Sequence, residues 1–137
     1  MEDKNLLRYS RHIMLPEIDI EGQKSISSSK IAVVGLGGLG CSASVYLAAS
    51  GVGELNLIDD DSIDLSNLQR QILFSEEDLN REKVEIAQMK LSSLNENVQV
   101  NSNNLRINNS NIENILEGSD LILDCTDNFE TRKIINA

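Results

Sequence analysis

The chain has 137 residues, of which 40% are hydrophobic and 3% aromatic, and 22 acidic against 12 basic residues give a formal net charge of −10. That length bounds it to one domain at most, with a core built from Ile, Leu, Val and Ala. The acidic balance excludes binding nucleic acid or an anionic membrane through a broad basic surface, and leaves room for a local anion site.

Residues 1–29 are polar and mixed, and read as an N-terminal helical segment. One helix is expected over residues 6–14, ended by Pro16, and a second over residues 22–28. Residues 30–35 (KIAVVG) run apolar into a glycine, the pattern of a buried parallel strand. Residues 39–50 read as a helix of small and aliphatic residues closed by Gly51, and residues 54–59 (ELNLID) as a second strand. Residues 81–95 carry Val84, Ala87, Leu91 and Leu94 at helical spacing. Val98 and Val100 mark a third strand. Ser110 and Glu113 resemble a capping box for a short helix to Leu116. Residues 121–124 (LILD) are a fourth strand, and Asp127 with Glu130 fits the start of a last helix.

Strand and helix alternate from residue 30 to 137, so the expected class is α/β, a Rossmann-like doubly wound and mostly parallel sheet with helices on both faces. Such folds have more than four strands, and the chain ends with no helix stop signal. It therefore reads as the N-terminal part of a longer protein, with a truncated sheet. No secretory leader or membrane-length apolar run is present, and Cys41 and Cys125 do not form a disulfide framework. The expected location is cytoplasmic, without a membrane or nucleic-acid partner.

Chemistry concentrates at the carboxyl ends of these strands, where open α/β sheets bind ligands. GLGGLG places Gly35, Gly37, Gly38 and Gly40 between a strand and a helix, a turn whose amides face a phosphate or ribose. By itself this turn fits NAD, FAD, S-adenosylmethionine or ATP, and Asp59 sits where an acid would bind ribose hydroxyls. DDDSIDLSNLQRQ then adds Asp60, Asp61 and Asp64, followed by Ser66, Asn67, Gln69, Arg70 and Gln71. Arg70 can fork onto phosphate oxygens. Lys83 stands at a helix start, where the dipole favours anions rather than a cation. It reads either as a surface lysine or as a point charge for a phosphate. Asp127 reads as an N-cap, a Mg²⁺ ligand, or both. His12, the only histidine, is expected to be structural, as are the two thiols.

Taken in order, RYSRHIMLP, GLGGLG, DxDxIxLSNLQRQ, the helix-start lysine and DCTDN resemble the MoeB/ThiF family, adenylyltransferases of ubiquitin-like sulfur-carrier proteins related to ubiquitin-activating enzymes. The likeness runs from Arg8 to Asn136, with the N-terminal segment and LSNLQRQ nearest the molybdopterin-synthase branch and the thiamine branch close to it. It implies ATP with Mg²⁺, and attack of a carrier's C-terminal Gly-Gly carboxylate on the α-phosphate to give an acyl-adenylate and pyrophosphate. Sulfur transfer follows, with another protein as donor. The likeness matches Gly38 to the backbone beside the nucleotide, Asp59 and Asp61 to the ribose end, and Asn67 and Arg70 to phosphate contacts. Lys83 matches a lysine near the α-phosphate and Asp127 the magnesium ligand. Arg11 matches an arginine that reaches the phosphates from the partner of a homodimer. Where the family has glycine ahead of the lysine, this chain has Asn80, Arg81 and Glu82, and Asn tolerates a left-handed turn. Zinc is expected only if a C-terminal continuation carries C-x-x-C pairs. The alternatives are an NAD-dependent oxidoreductase resting on GLGGLG, and a non-catalytic or truncated family member. A related branch acting on modified tRNA bases shares the ATP chemistry.

Overall fold

The structure, a computed structural model, describes residues 2–126 and 129–136. Four parallel strands make one sheet in the order β3-β2-β1-β4: β1 Lys30–Val34, β2 Glu54–Ile58, β3 Gln99–Asn103 and β4 Leu121–Asp124. β1 is central, with Val34 opposite both Ile58 and Asp124. The chain winds outward from β1 through β2 to β3, then crosses back to β4 on the other side of β1. That reversal puts the topological switch point at the carboxyl end of β1, between the turns that follow β1 and β4.

Two layers of helix cover the sheet. On one face α4 (Gly38–Ser50) and α5 (Lys83–Leu94) pack over Ile31, Val33, Leu55, Leu57 and Val100. The buried stripe of α4 is Gly40, Cys41, Ser44 and Ala48, small residues at helical spacing that bring the helix close to the sheet. Ala32, Val34 and Ile58 point to the other face. There they meet Ile107 and the aliphatic residues of α6 (Ile112–Leu116) and α7 (Phe129–Asn136).

The N-terminal segment folds as three helices, α1 Asp3–Arg8, α2 Ser10–Ile13 and α3 Asp19–Ser27. The single helix expected over residues 6–14 is broken at Tyr9, which leaves helical geometry (φ −103°, ψ 16°). Tyr9 is a buried plug. Its hydroxyl accepts hydrogen bonds from the side-chain amides of Asn95 (2.9 Å) and Asn97 (3.3 Å), and its ring fills the space left by the missing Cβ of Gly51. Gly51 closes α4 as expected, with φ +88°. His12 stacks on Tyr9 and pairs with buried Gln23 (2.9 Å), whose amide donates to the Ser50 carbonyl (3.0 Å). His12 is thus structural, and the segment is tied to the amino-terminal edge of the sheet.

α6 starts differently from the sequence expectation. Its N-cap is Asn111, and no Ser110 side chain caps it. Asn108 Oδ1 takes the amides of Ser110 (2.8 Å) and Asn111 (3.0 Å), while Asn111 Oδ1 takes the Asn108 amide (2.9 Å). The local asparagine turn outcompetes the Ser–Glu box because it satisfies more backbone donors. Among the described residues, no helix is long and apolar enough to cross a membrane.

Candidate functional site

β1 ends in a turn whose glycines divide into two kinds. A Cβ on Gly40 would lie 1.8 Å from the Gly35 carbonyl oxygen, and one on Gly35 (φ +97°) 2.9 Å from that of Cys125. These two glycines let the turn, α4 and the end of β4 close on one another. A Cβ on Gly37 would meet no atom within 4 Å, and one on Gly38 would come into ordinary contact with Arg70, its side chain at 3.7 Å and its carbonyl oxygen at 3.9 Å. Gly37 and Gly38 therefore leave open space at the first turn of α4, on the side where its amides point and its dipole favours an anion.

That space is one end of a cleft of about 610 Å³ at the carboxyl edge of the sheet. Gly35, Gly37, Gly38, Asp59, Asp61, Asn67, Arg70 and Lys83 all line it. Gly40 is buried beneath the turn and is a packing residue. Asp127 lies outside the described residues, and with it the expected cap and magnesium ligand. Arg11 is exposed on α2. Its neighbours Tyr9 and His12 are fixed to the amino-terminal edge, across the sheet from the cleft. A five-residue strand is roughly 16 Å long, so Arg11 does not reach the cleft of its own chain.

Two backbone amides hold Asp59. The Leu36 amide donates to Oδ2 and the Asp61 amide to Oδ1, both at 2.7 Å. Burial pushes its carboxyl above the usual value of 3.8, opposed first by the Leu36 amide, then by the Asp61 amide and Lys83. Asp59, Asp60 and Asp61 form a cluster of carboxylate oxygens within 4.8 Å of one another at the end of β2.

Lys83 is placed by the loop before it. The Asn80 amide donates to the Ile63 carbonyl and the Ile63 amide to the Arg81 carbonyl, both at 2.9 Å, and Ser62 bridges Glu82. The Lys83 amide donates to the Asp61 carbonyl at 3.1 Å. Asn80 takes φ +68°, the left-handed turn expected of it. The buried Asp78 carboxylate accepts from Lys90 Nζ (2.6 Å) and from the amide and hydroxyl of Ser75 (both 2.9 Å), which pins the loop from beneath. Lys83 is accordingly not a surface lysine. Its side chain is 6% exposed, and Nζ lies 3.9 Å from the Asp61 carboxylate.

The SNLQRQ segment begins as a short 3-10 turn, Leu65–Asn67. Asp64 accepts the Ser66 amide (3.0 Å) and hydroxyl (3.2 Å), which hold its carboxyl below the usual value, and Asn67 Oδ1 accepts the Asp64 amide (3.0 Å). The Asn67 acceptor is thus occupied and its NH₂ is the end left for a ligand. Arg70 lies over Gly38. Gln71 is buried, and its Oε1 has no hydrogen-bond partner among the described residues.

Four polar lining residues were not among the sequence-derived candidates: Arg106, Thr126, Thr131 and Arg132. Arg132 is anchored by Nε and Nη2 donating to the Thr126 carbonyl, the first at 2.9 Å. The signal available was position, since Arg106 follows β3 and Arg132 follows β4, both in carboxyl-edge connections. Four cations, Arg70, Lys83, Arg106 and Arg132, thus face one cleft of a chain with net charge −10. Cys41 is inert, its thiol pushed by burial up to about 12, and burial and then Asp124 raise Cys125.

The ThiF family model matches residues 9–137. The chain belongs to the ThiF family. Over all 137 residues it is 45% identical to the sulfur carrier protein ThiS adenylyltransferase of Escherichia coli strain K12, covering 55% of that protein. Over 126 residues, 92% of the chain, it is 47% identical to the molybdopterin-synthase adenylyltransferase of Haemophilus influenzae, covering 52% of it. Among solved structures, PaaA superposes with a TM-score of 0.87 at 30% identity, over 98% of this chain and 44% of that one. The chain spans about half the length of the curated relatives it matches. The ThiF match covers the glycine turn, the Asp59–Lys83 walls and β4, so the cleft lies wholly within the part shared with the family.

Proposed function

We propose that this cleft binds ATP with Mg²⁺ and serves the adenylation of a polypeptide C-terminal carboxylate, that of a ubiquitin-like sulfur carrier ending in Gly-Gly. The observation that carries the reading is the buried Lys83 ammonium lining the same cleft as the glycine turn and Arg70. A hydride-transfer site needs a surface for a nicotinamide ring. Fixed cations around the anion-favouring end of α4 suit a triphosphate. Both curated relatives named above are adenylyltransferases, one for the sulfur carrier protein ThiS and one for molybdopterin synthase.

In this reading Asp59 receives the ribose hydroxyls and Gly37 and Gly38 let the phosphates approach the α4 amides. The carrier carboxylate oxygen attacks the α-phosphorus, the bond to the β-phosphate bridging oxygen breaks, and pyrophosphate leaves. Lys83 and Arg70 meet the charge that builds on the α-phosphate and leaving group, and they are already oriented before reaction, so little reorganisation is needed. The hard oxygen donors at this edge suit Mg²⁺. Asp127 is its proposed ligand, and the ion would offset repulsion between phosphates and carboxylates.

Arg11 belongs to the account only through a second copy, since its own cleft lies across the sheet. We therefore place it in a homodimer, reaching the partner's phosphates. Both cysteines are free, which suits a reducing cytoplasm. Sulfur transfer to the adenylate requires a further donor protein.

The test is Asp127→Ala in the whole protein. Carrier-dependent exchange of pyrophosphate into ATP should be abolished while circular dichroism stays unchanged. Normal exchange would remove Asp127 from the account.

A further inference from the structure

The outer face of α4 carries no charge. All 13 of its residues, GLGCSASVYLAAS, are apolar, small or hydroxyl-bearing. Gly40, Cys41, Ser44 and Ala48 meet the sheet. At about 100° per residue, Leu39, Ala43, Tyr46 and Ser50 form the opposite stripe. Leu39 and Tyr46 are 74% and 75% exposed. α5 covers the same face of the sheet and leaves Glu85, Ser92 and Ser93 exposed, as a solvated helix does. A helix without a polar face is one that is covered on both sides.

The two ends of α4 indicate what covers it. Leu39 lines the cleft. At the other end the Ser50 carbonyl accepts from Gln23, which holds His12, and the Tyr9 ring fills the space at Gly51. The segment that carries Arg11 is therefore fastened to the far end of α4. A helix of this length is about 20 Å long, enough to span the roughly 16 Å of strand that keeps Arg11 from its own cleft. A second copy laid antiparallel across the stripe puts a two-fold axis near Ala43 and Tyr46. The Ser50 end of each α4 then lies beside the Leu39 end of the other, and each Arg11 is carried toward the other copy's cleft. Ala43 and Ser50 are small enough for the two helices to approach closely. Charge agrees with this pairing, since exposed Arg11 arrives where exposed Asp60 and Asp61 line the cleft.

We propose that the stripe of Leu39, Ala43, Tyr46 and Ser50 is where two copies of this protein meet, α4 against antiparallel α4 about a two-fold axis. The contact completes each cleft with the Arg11 of the other copy. The task given to Arg11 rests on the adenylation reading above. The contact itself stands on the composition and exposure of α4.

The test is sedimentation equilibrium on the whole protein. It should be a dimer, and its dissociation constant should rise at least about a hundredfold in Tyr46→Arg, because tyrosines anchor interfaces and the two-fold counts each one twice. Met89→Arg, at an exposed position of α5, should leave the constant unchanged. A benzoylphenylalanine at position 46 decides the matter even if Tyr46→Arg fails to fold. Irradiation should join it to residues 38–50 of a second copy, which isotope-labelled mixed dimers distinguish from the same chain. A monomeric whole protein, a Tyr46→Arg dimer as tight as the unmodified one, or a crosslink to anything other than α4 of a second copy overturns the proposal. ATP binding is measured separately by calorimetry. A protein that binds ATP but fails these tests keeps its nucleotide site and loses this interface. A dimer joined through this face that binds no ATP keeps the interface and loses the adenylation reading.

Discussion

Lys83 Nζ stands 3.9 Å from the Asp61 carboxylate, and the two partners differ sharply in exposure, 6% for the lysine side chain and 72% for the aspartate. The lysine bears the cost of leaving water while its partner stays solvated. At 3.9 Å the pair does not form a close hydrogen bond. Such an ammonium is held in readiness for a better anion.

Replacing Lys83 with Met should therefore separate stability from binding. Removing a poorly compensated buried charge in favour of an apolar side chain of similar length is neutral or stabilising, and the exposed Asp61 loses little. Thermal unfolding should show an unchanged or raised Tm. Calorimetry should show ATP affinity down by about ten- to a hundredfold, as expected for a lost charge-assisted contact of roughly 1.5–3 kcal/mol. A large drop in Tm would mean that Lys83 is structural.

The glycine turn offers a paired test. Gly40→Ala puts a Cβ 1.8 Å from the Gly35 carbonyl, a clash of backbone atoms that only displacement of α4 relieves. Destabilisation on the order of 4 kcal/mol is expected. Gly37→Ala meets no atom within 4 Å. It should fold with little change in Tm and lose ATP affinity, because its methyl occupies ligand space. Unimpaired ATP binding by Gly37→Ala would place the phosphates elsewhere.

Much of this was legible in the sequence because each feature had a local cause. The apolar run into Gly35, the small-residue stripe of α4 and the turn at Asn80 each follow from the residues at that place. The break at Tyr9 was not legible, because its cause is Asn95, Asn97 and Gly51, distant in sequence. The burial of Lys83 was hidden for a similar reason, since it depends on residues 61–63 pairing with 80–83. The Asn108–Asn111 turn was legible in principle, but the Ser–Glu spacing pointed one step away from it.

Asp59 should give the site its acid limit. Its folded-state pKa lies above 3.8, so the folded chain holds this proton more tightly than the unfolded chain. Its contribution to stability therefore declines as pH rises from 3.8 through the folded value. Nucleotide binding runs the other way, because the ribose hydroxyls need the carboxylate as acceptor, and affinity should fall as pH drops through the folded value. A carbon-13 titration of the Asp59 carboxyl should give a midpoint above 3.8. A midpoint at or below 3.8 would contradict the balance in which burial outweighs the Leu36 and Asp61 amides.

Arg11 makes a prediction about assembly. In the whole protein, Arg11→Ala and Arg70→Ala should each lose activity. Random mixing makes half of the dimers mixed, each with one intact site, so activity should return to about a quarter of wild type. No return despite demonstrated subunit exchange would confine Arg11 to a structural role.

Titrating the chain with ATP·Mg²⁺, adenosine and NADH in parallel shows whether this cleft is an ATP site. ATP should bind, adenosine should bind far more weakly because Lys83, Arg70 and the α4 amides have no phosphate to meet, and NADH should not compete. Tight binding of NADH with none of ATP would contradict that assignment.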